Sequence, residues 1–461
     1  MAAPGFAGSR RNHLCRLWAD VVAQPVLPQL DRWLADNFRK NARYGSRDRR
    51  WYSEMLFAAV RHGYLALFCD FCVRNRAPFL GKNENRNAQY SLEQLFEAFL
   101  KLYPNVDSIA QAWRTLHPDV FFADVWNIYS RTSSTVEERP SSEDSLAVSQ
   151  TMQVLKALEL SSSLRARMLL SSVPLWLFEQ LNARASQSAW KDSLLSSFLA
   201  NQNTRPPLWL RVNHSERLTD IVSILRSEGY LVEQFDQALC VRGERGIFLS
   251  EVYKSGSVEI QDFASQKAGA SVEAKPGDVV WDACAGGGGK TLQIASRLKN
   301  RGAIYASDVR EFKLEEVKKR ARRAGFFNVR CQAWNGVALP EFPREIQKRE
   351  GFDWVLVDAP CSSSGTWRRN PDAKYRLDAC SVAEVTALQK SILETASCAV
   401  GKRGRLVYST CSWLVEENEG IISNFLENHP NFELVKMKLW GTPEADADTL
   451  FSAVLAKRIK E

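Results

Sequence analysis

The sequence VVWDACAGGGGKT, from Val279 to Thr291, joins an apolar run to a glycine turn and a helix-forming segment. The apolar run predicts a buried strand over 278–283, and the glycines permit a tight turn after it. Backbone N–H groups and the positive end of a helix dipole then lie at the strand end, where a small polar ligand can bind. The stretch therefore predicts a ligand-binding loop at the carboxyl end of a strand.

Two phosphate-binding motifs resemble this loop but do not fit its spacing. A P-loop requires a glycine at the position of Cys284, and a dinucleotide fingerprint that starts at Gly286 requires one at Thr291. Asp308 ends the next predicted strand, where a carboxylate can accept hydrogen bonds from ribose hydroxyls. A flexible loop with a helix-capping Asp308 is the alternative interpretation.

Strands and helices alternate from residue 275 onward. Strands are predicted at 278–283, 303–307, 329–334, 352–357 and 405–410, with helices between them. This alternation is typical of an α/β fold in which helices cover a parallel sheet. Ligands of such sheets bind at the carboxyl ends of the strands, so we expect the functional residues there.

Two cysteines follow two of these predicted strands. Cys361 lies in VDAPCSSSG (357–365), and Cys411 lies 50 residues later in YSTCS (408–412). If the two strands are neighbours, the thiols converge beside the glycine loop and Asp358. A single cysteine at a strand end is more often a small hydrophobic residue. Two thiols and a carboxylate at one sheet edge instead favour a reactive site.

The motifs DACAGGGGKT, VDAPCSSSG and YSTCS together resemble the S-adenosylmethionine-dependent RNA 5-methylcytosine methyltransferases of the RsmB and NOP2/Sun family. Further similar stretches are NQNTRPPLWLRVN (201–213), VEIQDFASQ (258–266) and WRRNPDAKYR (367–376), so that the resemblance covers about 200–458. It implies a class I methyltransferase domain, Rossmann-like with a mostly parallel seven-stranded sheet, and a small α+β RRM-like module. The all-helical N-terminal region resembles the NusB-like RNA-binding domain of RsmB.

The predicted domains follow from this resemblance and from composition. Apolar residues with helical spacing fill the N-terminal region, and a Ser-rich stretch that contains Pro140 marks a linker. The domains are a helical NusB-like RNA-binding domain (1–130), a polar linker (131–150), a helical connection (151–200), an RRM-like module (201–262) and the methyltransferase domain (263–461).

The resemblance also implies a mechanism. Ring position 5 of cytosine is too weak a nucleophile to attack a sulfonium methyl group, so a thiolate first adds to position 6. Cys411 is implied as this nucleophile, and Cys361 as the residue that assists product release. Asp358, ordered by Lys290, is implied to bind the cytosine and to approach the cofactor. Pro360 fixes a backbone dihedral between acid and thiol.

S-adenosylmethionine is the implied cofactor. It would occupy the residues Cys284, Ala285, Gly286, Gly287, Gly288, Gly289 and Lys290, with Asp308 on its ribose. The family usually has a proline in this loop, which Gly287 or Gly288 replaces here, and Asn335 stands where an acid is expected. The carbonyl of Asn335 can accept a hydrogen bond from the adenine amine. We expect binding to persist, with its strength left open.

RNA is the implied partner. The candidate contacts are Arg211, Asn213, Arg368 and Arg369, with Lys374 and Arg376 in addition, and ordinary surface charge is the alternative for each. Residues 39–50 contain six cations and one acid, which favours phosphate contact over a solvated helix end. A cytosine in folded RNA would have to leave its stack to reach the sheet edge, which favours a loop or junction as substrate.

Composition is compatible with this interpretation. The 461 residues are 45% hydrophobic and 25% charged, as in soluble globular proteins of several domains. The net charge of +8 suits a polyanionic partner. The ten cysteines are scattered, and the CxxC of Cys69 and Cys72 has no second pair for zinc. We expect a cytoplasmic protein without a metal, a membrane span, a secretory signal or an oligomeric partner.

The predicted function is methylation of cytosine at ring position 5 in RNA, with bacterial small-subunit (16S) rRNA favoured. Transfer RNA and large-subunit rRNA stay open as substrates. A DNA cytosine methyltransferase is the nearest enzymatic alternative, but it would leave Cys411 without a role. A non-catalytic ribosome-assembly factor is a further alternative, against which the intact Cys361, Cys411, Asp358 and Lys290 argue.

Overall fold

The computed structural model describes residues 4–41, 44–75, 77, 91–132, 145–243 and 246–458. Contacts divide the chain into two compact units, Met1–Arg205 with Trp367–Ala379 and Pro206–Thr366 with Cys380–Glu461. Most of the predicted linker, residues 133–144, lies outside the described residues, and so do residues 42–43 of the basic segment.

The first unit is helical in its described part. Its helices are α1 (Pro4–Val22), α2 (Leu30–Lys40), α3 (Ser46–Arg74), α4 (Leu92–Leu102), α5 (Val106–Thr115), α6 (Pro118–Thr132), α7 (Ser145–Leu160), α8 (Leu164–Leu170), α9 (Phe178–Gln187) and α10 (Asp192–Asn201). The backbone N–H of Gln94 donates to the Ser91 hydroxyl and the Ser91 N–H donates to the Gln94 side chain, so α4 begins with a capping box.

Helix α3 is the central helix of this unit. By length and composition alone it could cross a membrane, but 83% of its most apolar window is buried, as in a core helix. Its packing is close, because a Cβ on Gly63 would lie 2.6 Å from the Trp113 ring. Cys69 and Cys72 are both buried in α3. Their side chains therefore belong to the hydrophobic core of the unit.

The segment Trp367–Ala379 differs from the predicted domain boundary. The sequence assigns it to the methyltransferase domain, whereas its contacts belong to the helical unit. The Lys374 ammonium is buried and donates to the carbonyls of Arg61 and Ser172, each at 3.0 Å. The Tyr375 ring centroid lies 4.7 Å from that of Trp113. Backbone carbonyls and aromatic rings of the helices thus satisfy the polar and apolar groups of this segment.

The second unit begins with a small α+β module. Its elements are β1 (Leu208–Val212), α11 (Leu218–Ser227), β2 (Leu231–Phe235), β3 (Ala238–Arg242), α12 (Glu251–Lys254) and β4 (Val258–Ile260). The strands form an antiparallel sheet in the order β2-β3-β1-β4. Ile221 and Leu225 on one face of α11 are buried in the same core as Leu239 of β3, as the 3.6-residue period requires.

A seven-stranded sheet follows. Its elements are α13 (Phe263–Gly269), β5 (Val279–Asp282), α14 (Gly289–Leu298), β6 (Ala303–Asp308), α15 (Glu311–Arg323), β7 (Val329–Ala333), α16 (Arg344–Lys348), β8 (Phe352–Asp358), α17 (Ala379–Ser397), β9 (Val400–Thr410), α18 (Glu419–Asn428), β10 (Phe432–Gly441) and β11 (Thr449–Lys457). The order is β10-β11-β9-β8-β5-β6-β7, parallel from β9 to β7 and antiparallel at β10 and β11.

The sheet is buried on both faces. Along β8, Val355 and Val357 lie in one hydrophobic core, and Trp354 and Leu356 lie in the other. This alternation is the two-residue period of a strand between two helix layers. The predicted α/β fold is confirmed, and the carboxyl ends of β5, β6, β8 and β9 come to the same edge. That edge carries the residues of the candidate site.

Candidate active site

The two predicted cysteines lie together. Strands β8 and β9 are parallel neighbours with Asp358 opposite Ser409, so the residues that follow each strand meet. The Sγ atom of Cys361 lies 3.3 Å from that of Cys411, and both thiols are reduced and partly buried. The Cys411 Sγ also lies 3.7 Å from the Ser363 hydroxyl. The sequence predicted this convergence from the strand ends, and the structure confirms it.

The surroundings of Cys361 disfavour its thiolate. Its hydrogen bond with Cys411 raises the pKa of Cys361 most, burial raises it further, and the negative charges of Cys411 and Glu417 add to the effect. A thiol with a raised pKa stays protonated at neutral pH. Cys361 can therefore donate a proton or a hydrogen bond to the sulfur of Cys411.

An ion pair lies beside the thiols. The Lys290 ammonium is 2.8 Å from Oδ2 of Asp358, with 7% of the lysine side chain and 31% of the aspartate side chain exposed. Lys290 is the second residue of α14 and Asp358 is the last residue of β8, so the pair joins the helix after the glycine loop to the strand before Cys361. The carboxylate is thereby fixed in direction while it stays accessible to a ligand.

The glycine loop depends on two left-handed residues. Gly286 has φ of +53° and Gly288 has φ of +85°, and a Cβ on Gly288 would lie 2.9 Å from a Val317 methyl group. Proline requires φ near −65°, which excludes position 288. Gly287 has no left-handed φ, so of the two positions it is the one whose φ does not exclude a proline.

Asp308 fixes this loop from the next strand. Its carboxylate accepts hydrogen bonds from the Gly286 N–H and from the Arg310 N–H and Nε, each at 2.9 Å. Burial raises the pKa of Asp308, but the hydrogen bonds and charge of Arg310 outweigh burial and lower it. Because Arg310 occupies the carboxylate, a ribose at Asp308 would share it with Arg310 or displace that side chain.

A cleft of about 480 Å³ opens beyond Asp308, a size typical of a small-molecule site. Val309, Trp334, Asn335 and Pro340 are among its lining residues. The Asn335 carbonyl accepts a hydrogen bond from the Val337 N–H at 3.1 Å, so one of its two lone pairs is already used within the turn. The predicted bond to an adenine amine would use the second.

The structure also shows polar residues that the sequence analysis missed. Glu417 is fully buried behind the thiols, Arg310 pairs with Asp308, and Arg320 donates to the carbonyl of Gly287. The acidic run VEENE after YSTCS was the available signal for Glu417. The sequence contains no comparable signal for Arg310 or Arg320, because arginines are common just before an exposed helix and within one.

Three of the four predicted RNA contacts are buried. Arg211 is 4% exposed and donates through Nε to Gln261 at 2.6 Å, and burial lowers its pKa to about 9. Asn213 is 1% exposed and donates to the Gly256 carbonyl. Arg368 is 2% exposed and donates to the Thr204 hydroxyl at 2.8 Å.

These three side chains therefore present no surface to RNA in this structure, because each one supports a neighbouring loop or strand. Among the additional candidates, Lys374 is buried as described above, and Arg376 donates to Asp372 at 2.6 Å. Arg369 is the one of the four main candidates that is exposed. The sequence analysis predicted that these cations contact RNA, whereas the partners of the buried ones are backbone carbonyls and polar side chains of their own unit.

The parallel sheet, the glycine loop and the acid at the next strand end define a class I methyltransferase fold. Residues 270–453 match the family model described as 16S rRNA methyltransferase RsmB/F. The chain belongs to the RsmB and NOP2/Sun family.

Two relatives illustrate the match. The probable ribosomal RNA small subunit methyltransferase B of Bacillus subtilis is 34% identical over 231 residues, which are 50% of this chain and 51% of that protein. Ribosomal RNA small subunit methyltransferase B of Klebsiella pneumoniae is 31% identical over 299 residues, 62% of this chain and 66% of that protein. The chain thus matches between about half and two thirds of the length of these relatives.

Solved structures agree in fold. The crystal structure of PH0851 covers 92% of this chain and 93% of its own, with 25% identity and a TM-score of 0.61. The structure of NSun6 from Pyrococcus horikoshii with SFG covers 61% of this chain and 98% of its own, with 16% identity and a TM-score of 0.52. The second likeness bears on the fold alone.

Proposed function

We propose that the protein transfers a methyl group from S-adenosylmethionine to ring position 5 of a cytosine in small-subunit ribosomal RNA, in the cytoplasm. The observation that carries this proposal is the contact of two reduced cysteine sulfurs, 3.3 Å apart, beside the Asp358–Lys290 pair. The names of the Bacillus and Klebsiella relatives support the rRNA substrate.

The residues at the sheet edge fit this cofactor. The backbone of residues 284–289 and the N-terminus of α14 offer donors for its polar groups. In this proposal Asp308 binds the ribose, sharing its carboxylate with Arg310 or releasing that side chain, and the cleft beside Asn335 receives the adenine. When bound, S-adenosylmethionine supplies an electrophilic methyl group. The protein's part is to place the cytosine against it and to make the ring nucleophilic.

In this mechanism Cys411 is the nucleophile. Its thiolate adds to position 6 of the cytosine and forms a carbon–sulfur bond, which makes position 5 electron-rich. Asp358, held by Lys290, binds the ring nitrogen 3 and the exocyclic amine. After methyl transfer, a base accepts the proton from position 5, the electrons of that bond restore the double bond between positions 5 and 6, and the carbon–sulfur bond breaks. Cys361, protonated and in contact with Cys411, assists this release by donating to the departing sulfur.

The test compares Cys411→Ala with Cys361→Ala in the full chain. With S-adenosylmethionine and small-subunit rRNA, the Cys361 variant should accumulate a covalent protein–RNA adduct, visible as a slow band in denaturing gels. The Cys411 variant should form no adduct and lose turnover by at least about a thousandfold. Cys398→Ala, an exposed cysteine of the same unit, is the control and should behave as wild type. Full turnover without Cys411 would contradict the mechanism.

The substrate needs a separate test. Bisulfite sequencing of rRNA and tRNA from a deletion strain should show one protected cytosine lost from small-subunit rRNA. Loss at a site in tRNA or in large-subunit rRNA would keep the chemistry and replace the substrate. No lost site, together with no heat of S-adenosylmethionine binding in calorimetry, would favour a non-catalytic RNA-binding factor instead.

A further inference from the structure

A buried carboxylate lies behind the two thiols. Glu417 lies between β9 and α18, six residues after Cys411, and is 0% exposed. It accepts hydrogen bonds from the Ser362 N–H at 2.9 Å, from Gln389 Nε2 at 2.9 Å and from the Ser412 hydroxyl at 2.7 Å. The Ser362 hydroxyl donates to it as well. A buried carboxylate without such donors would be strongly unfavourable, so these contacts account for its place.

The donors come from both cysteine-bearing loops. Ser362 follows Cys361 directly and Ser412 follows Cys411 directly, so one carboxylate bridges the two loops next to their sulfurs. A second bridge is parallel to it, since the hydroxyls of Ser364 and Ser412 lie 2.9 Å apart. The separation of the two sulfurs is therefore fixed by contacts one and three residues away from them.

Helix α17 anchors this arrangement from a third side. The Gln389 amide donates to Glu417 and also to the carbonyl of Pro360, the residue before Cys361, at 2.9 Å each. On the β9 side, the hydroxyl of Tyr408 donates to the backbone carbonyl of Glu417 at 2.7 Å. Glu417 is thus fixed through both its side chain and its backbone. A substitution of Glu417 would therefore remove contacts of both cysteine-bearing loops.

The carboxylate also acts through its charge. Glu417 is one of the groups whose negative charge disfavours ionisation of Cys361, after the contact with Cys411 and burial. Cys361 interacts electrostatically with Cys411, Glu417 and Tyr408, and Tyr408 in turn interacts with Cys284 and Asp358. Asp358 is paired with the Lys290 ammonium, whereas the partners of the Glu417 carboxylate are the neutral donors Ser362, Gln389 and Ser412.

We propose that Glu417 positions the thiol pair: its carboxylate bridges the two loops and sets them at the separation where the sulfurs touch. The same carboxylate places a negative charge next to the loop of Cys361. Glu417 acts through the cysteines, so it is a positioning residue. The proposal deepens the proposed function and rests on it for turnover. Its test by thiol chemistry is independent of any RNA.

The principal test is Glu417→Gln in a Cys411→Ala background, with alkylation of Cys361 by iodoacetamide followed by peptide mass spectrometry. Loss of the negative charge favours the Cys361 thiolate, so the midpoint of the alkylation rate should fall by about one pH unit. Glu416→Gln removes the same charge from the exposed neighbouring residue and should leave the midpoint unchanged. An unchanged midpoint in a folded Glu417→Gln protein would overturn the charge part of the proposal.

Ser412→Ala tests the positioning part and keeps the carboxylate. Diamide oxidises the two thiols to a disulfide and is itself reduced to a hydrazine, so its rate reports how often the sulfurs meet. We expect this rate to fall at least fivefold in Ser412→Ala, with Ser255→Ala of the small module as the control. An unchanged rate would overturn the positioning role, even if Glu417→Gln does not fold.

Turnover separates this proposal from the proposed function. If the enzyme methylates RNA, Glu417→Gln should lower kcat about tenfold or more and leave the KM for S-adenosylmethionine unchanged. If wild type methylates no RNA, the proposed function fails while the alkylation and diamide results still decide the role of Glu417.

Discussion

The two ends of the candidate site are ordered by different interactions. The glycine loop is held by charged side chains of the next strand and helix, since Asp308 accepts from the Gly286 N–H and Arg320 donates to the Gly287 carbonyl. The thiol pocket is held from inside by buried hydroxyls and the carboxylate of Glu417. We therefore expect the glycine loop to adjust when a cofactor enters and leaves. The sulfurs of Cys361 and Cys411, in contrast, should keep a fixed separation.

Arg320 connects the glycine loop to the small module. Besides Gly287, it contacts Glu259 of β4 through Nη2 at 2.8 Å, and Arg323 contacts the same carboxylate at 2.7 Å. Glu259 is 1% exposed, so two arginines of α15 neutralise a buried acid of the RRM-like module. The module therefore supports the cofactor end of the site, although its own predicted RNA residues Arg211 and Asn213 are buried.

The largest effect is expected from Gly365→Ala at the thiol end. A Cβ there would lie 1.8 Å from the Thr449 carbonyl oxygen and 3.0 Å from the Cys411 carbonyl oxygen. Both are backbone atoms, which cannot move aside as the end of a flexible side chain can. We expect a loss of roughly 3 kcal/mol or more in the free energy of unfolding and the loss of turnover. Calorimetric melting measures this, with Gly246→Ala, where a Cβ meets open space, as the control. A wild-type melting temperature for Gly365→Ala would show that the thiol end is not rigid.

Glu259→Gln tests the support of the glycine loop. Removing the charge leaves Arg320 and Arg323 partly buried without their carboxylate, which should lower the free energy of unfolding by about 3 kcal/mol. Glu233→Gln is the control, because its pairing with Arg242 is exposed and contributes at most about 1 kcal/mol. Equal melting temperatures for the two variants would show that the arginines need no buried partner.

Arg320→Met should separate binding from chemistry. It removes the donor to the Gly287 carbonyl, so we expect the Kd for S-adenosylmethionine to rise about tenfold, since a hydrogen bond to a charged group contributes roughly 1.5–3 kcal/mol. The kcat should change less than twofold. Gly287→Ala, which stiffens the loop by about 0.5–1 kcal/mol, should restore part of the affinity. Calorimetric titration measures the Kd for S-adenosylmethionine of both variants. A lower kcat with an unchanged Kd would contradict the difference between the two ends of the site.

The sequence predicted what depends on local period and on strand ends. The five parallel strands and the meeting of Cys361 with Cys411 follow from two-residue alternation and from the edge that parallel strands share. The first half of β9 was missed, because Lys402 and Arg403 interrupt its apolar pattern and its register with β8 is irregular. β10 and β11 were expected only as part of the family's sheet.

The rest depends on contacts between distant residues. Arg320 lies 33 residues from Gly287 and 61 from Glu259 in the chain, and no local pattern reports that they touch. Lys374 and Arg368 were predicted to contact RNA, although carbonyls and a hydroxyl of the helical unit bind them. Sequence position therefore predicted which residues meet at the sheet edge, while contacts between distant residues decide which cations are buried.

The smallest effect is expected at Asp282, which lies between the two ends of the site. It is buried at the end of β5 and accepts a hydrogen bond from the Thr291 hydroxyl at 2.6 Å, and burial raises its pKa from 3.8 to about 7. The folded state thus keeps a proton that the unfolded chain releases near pH 4, so stability should fall as pH rises from about 4 to about 7. Asp282→Asn cannot ionise and should therefore lack this pH dependence, so its stability should rise relative to wild type by roughly 1 kcal/mol between pH 5 and pH 6. Melting temperatures of both proteins at the two pH values measure the difference. A parallel pH dependence in wild type and variant would mean that Asp282 is ionised in the fold, and that a buried negative charge lies between the glycine loop and the thiol pocket.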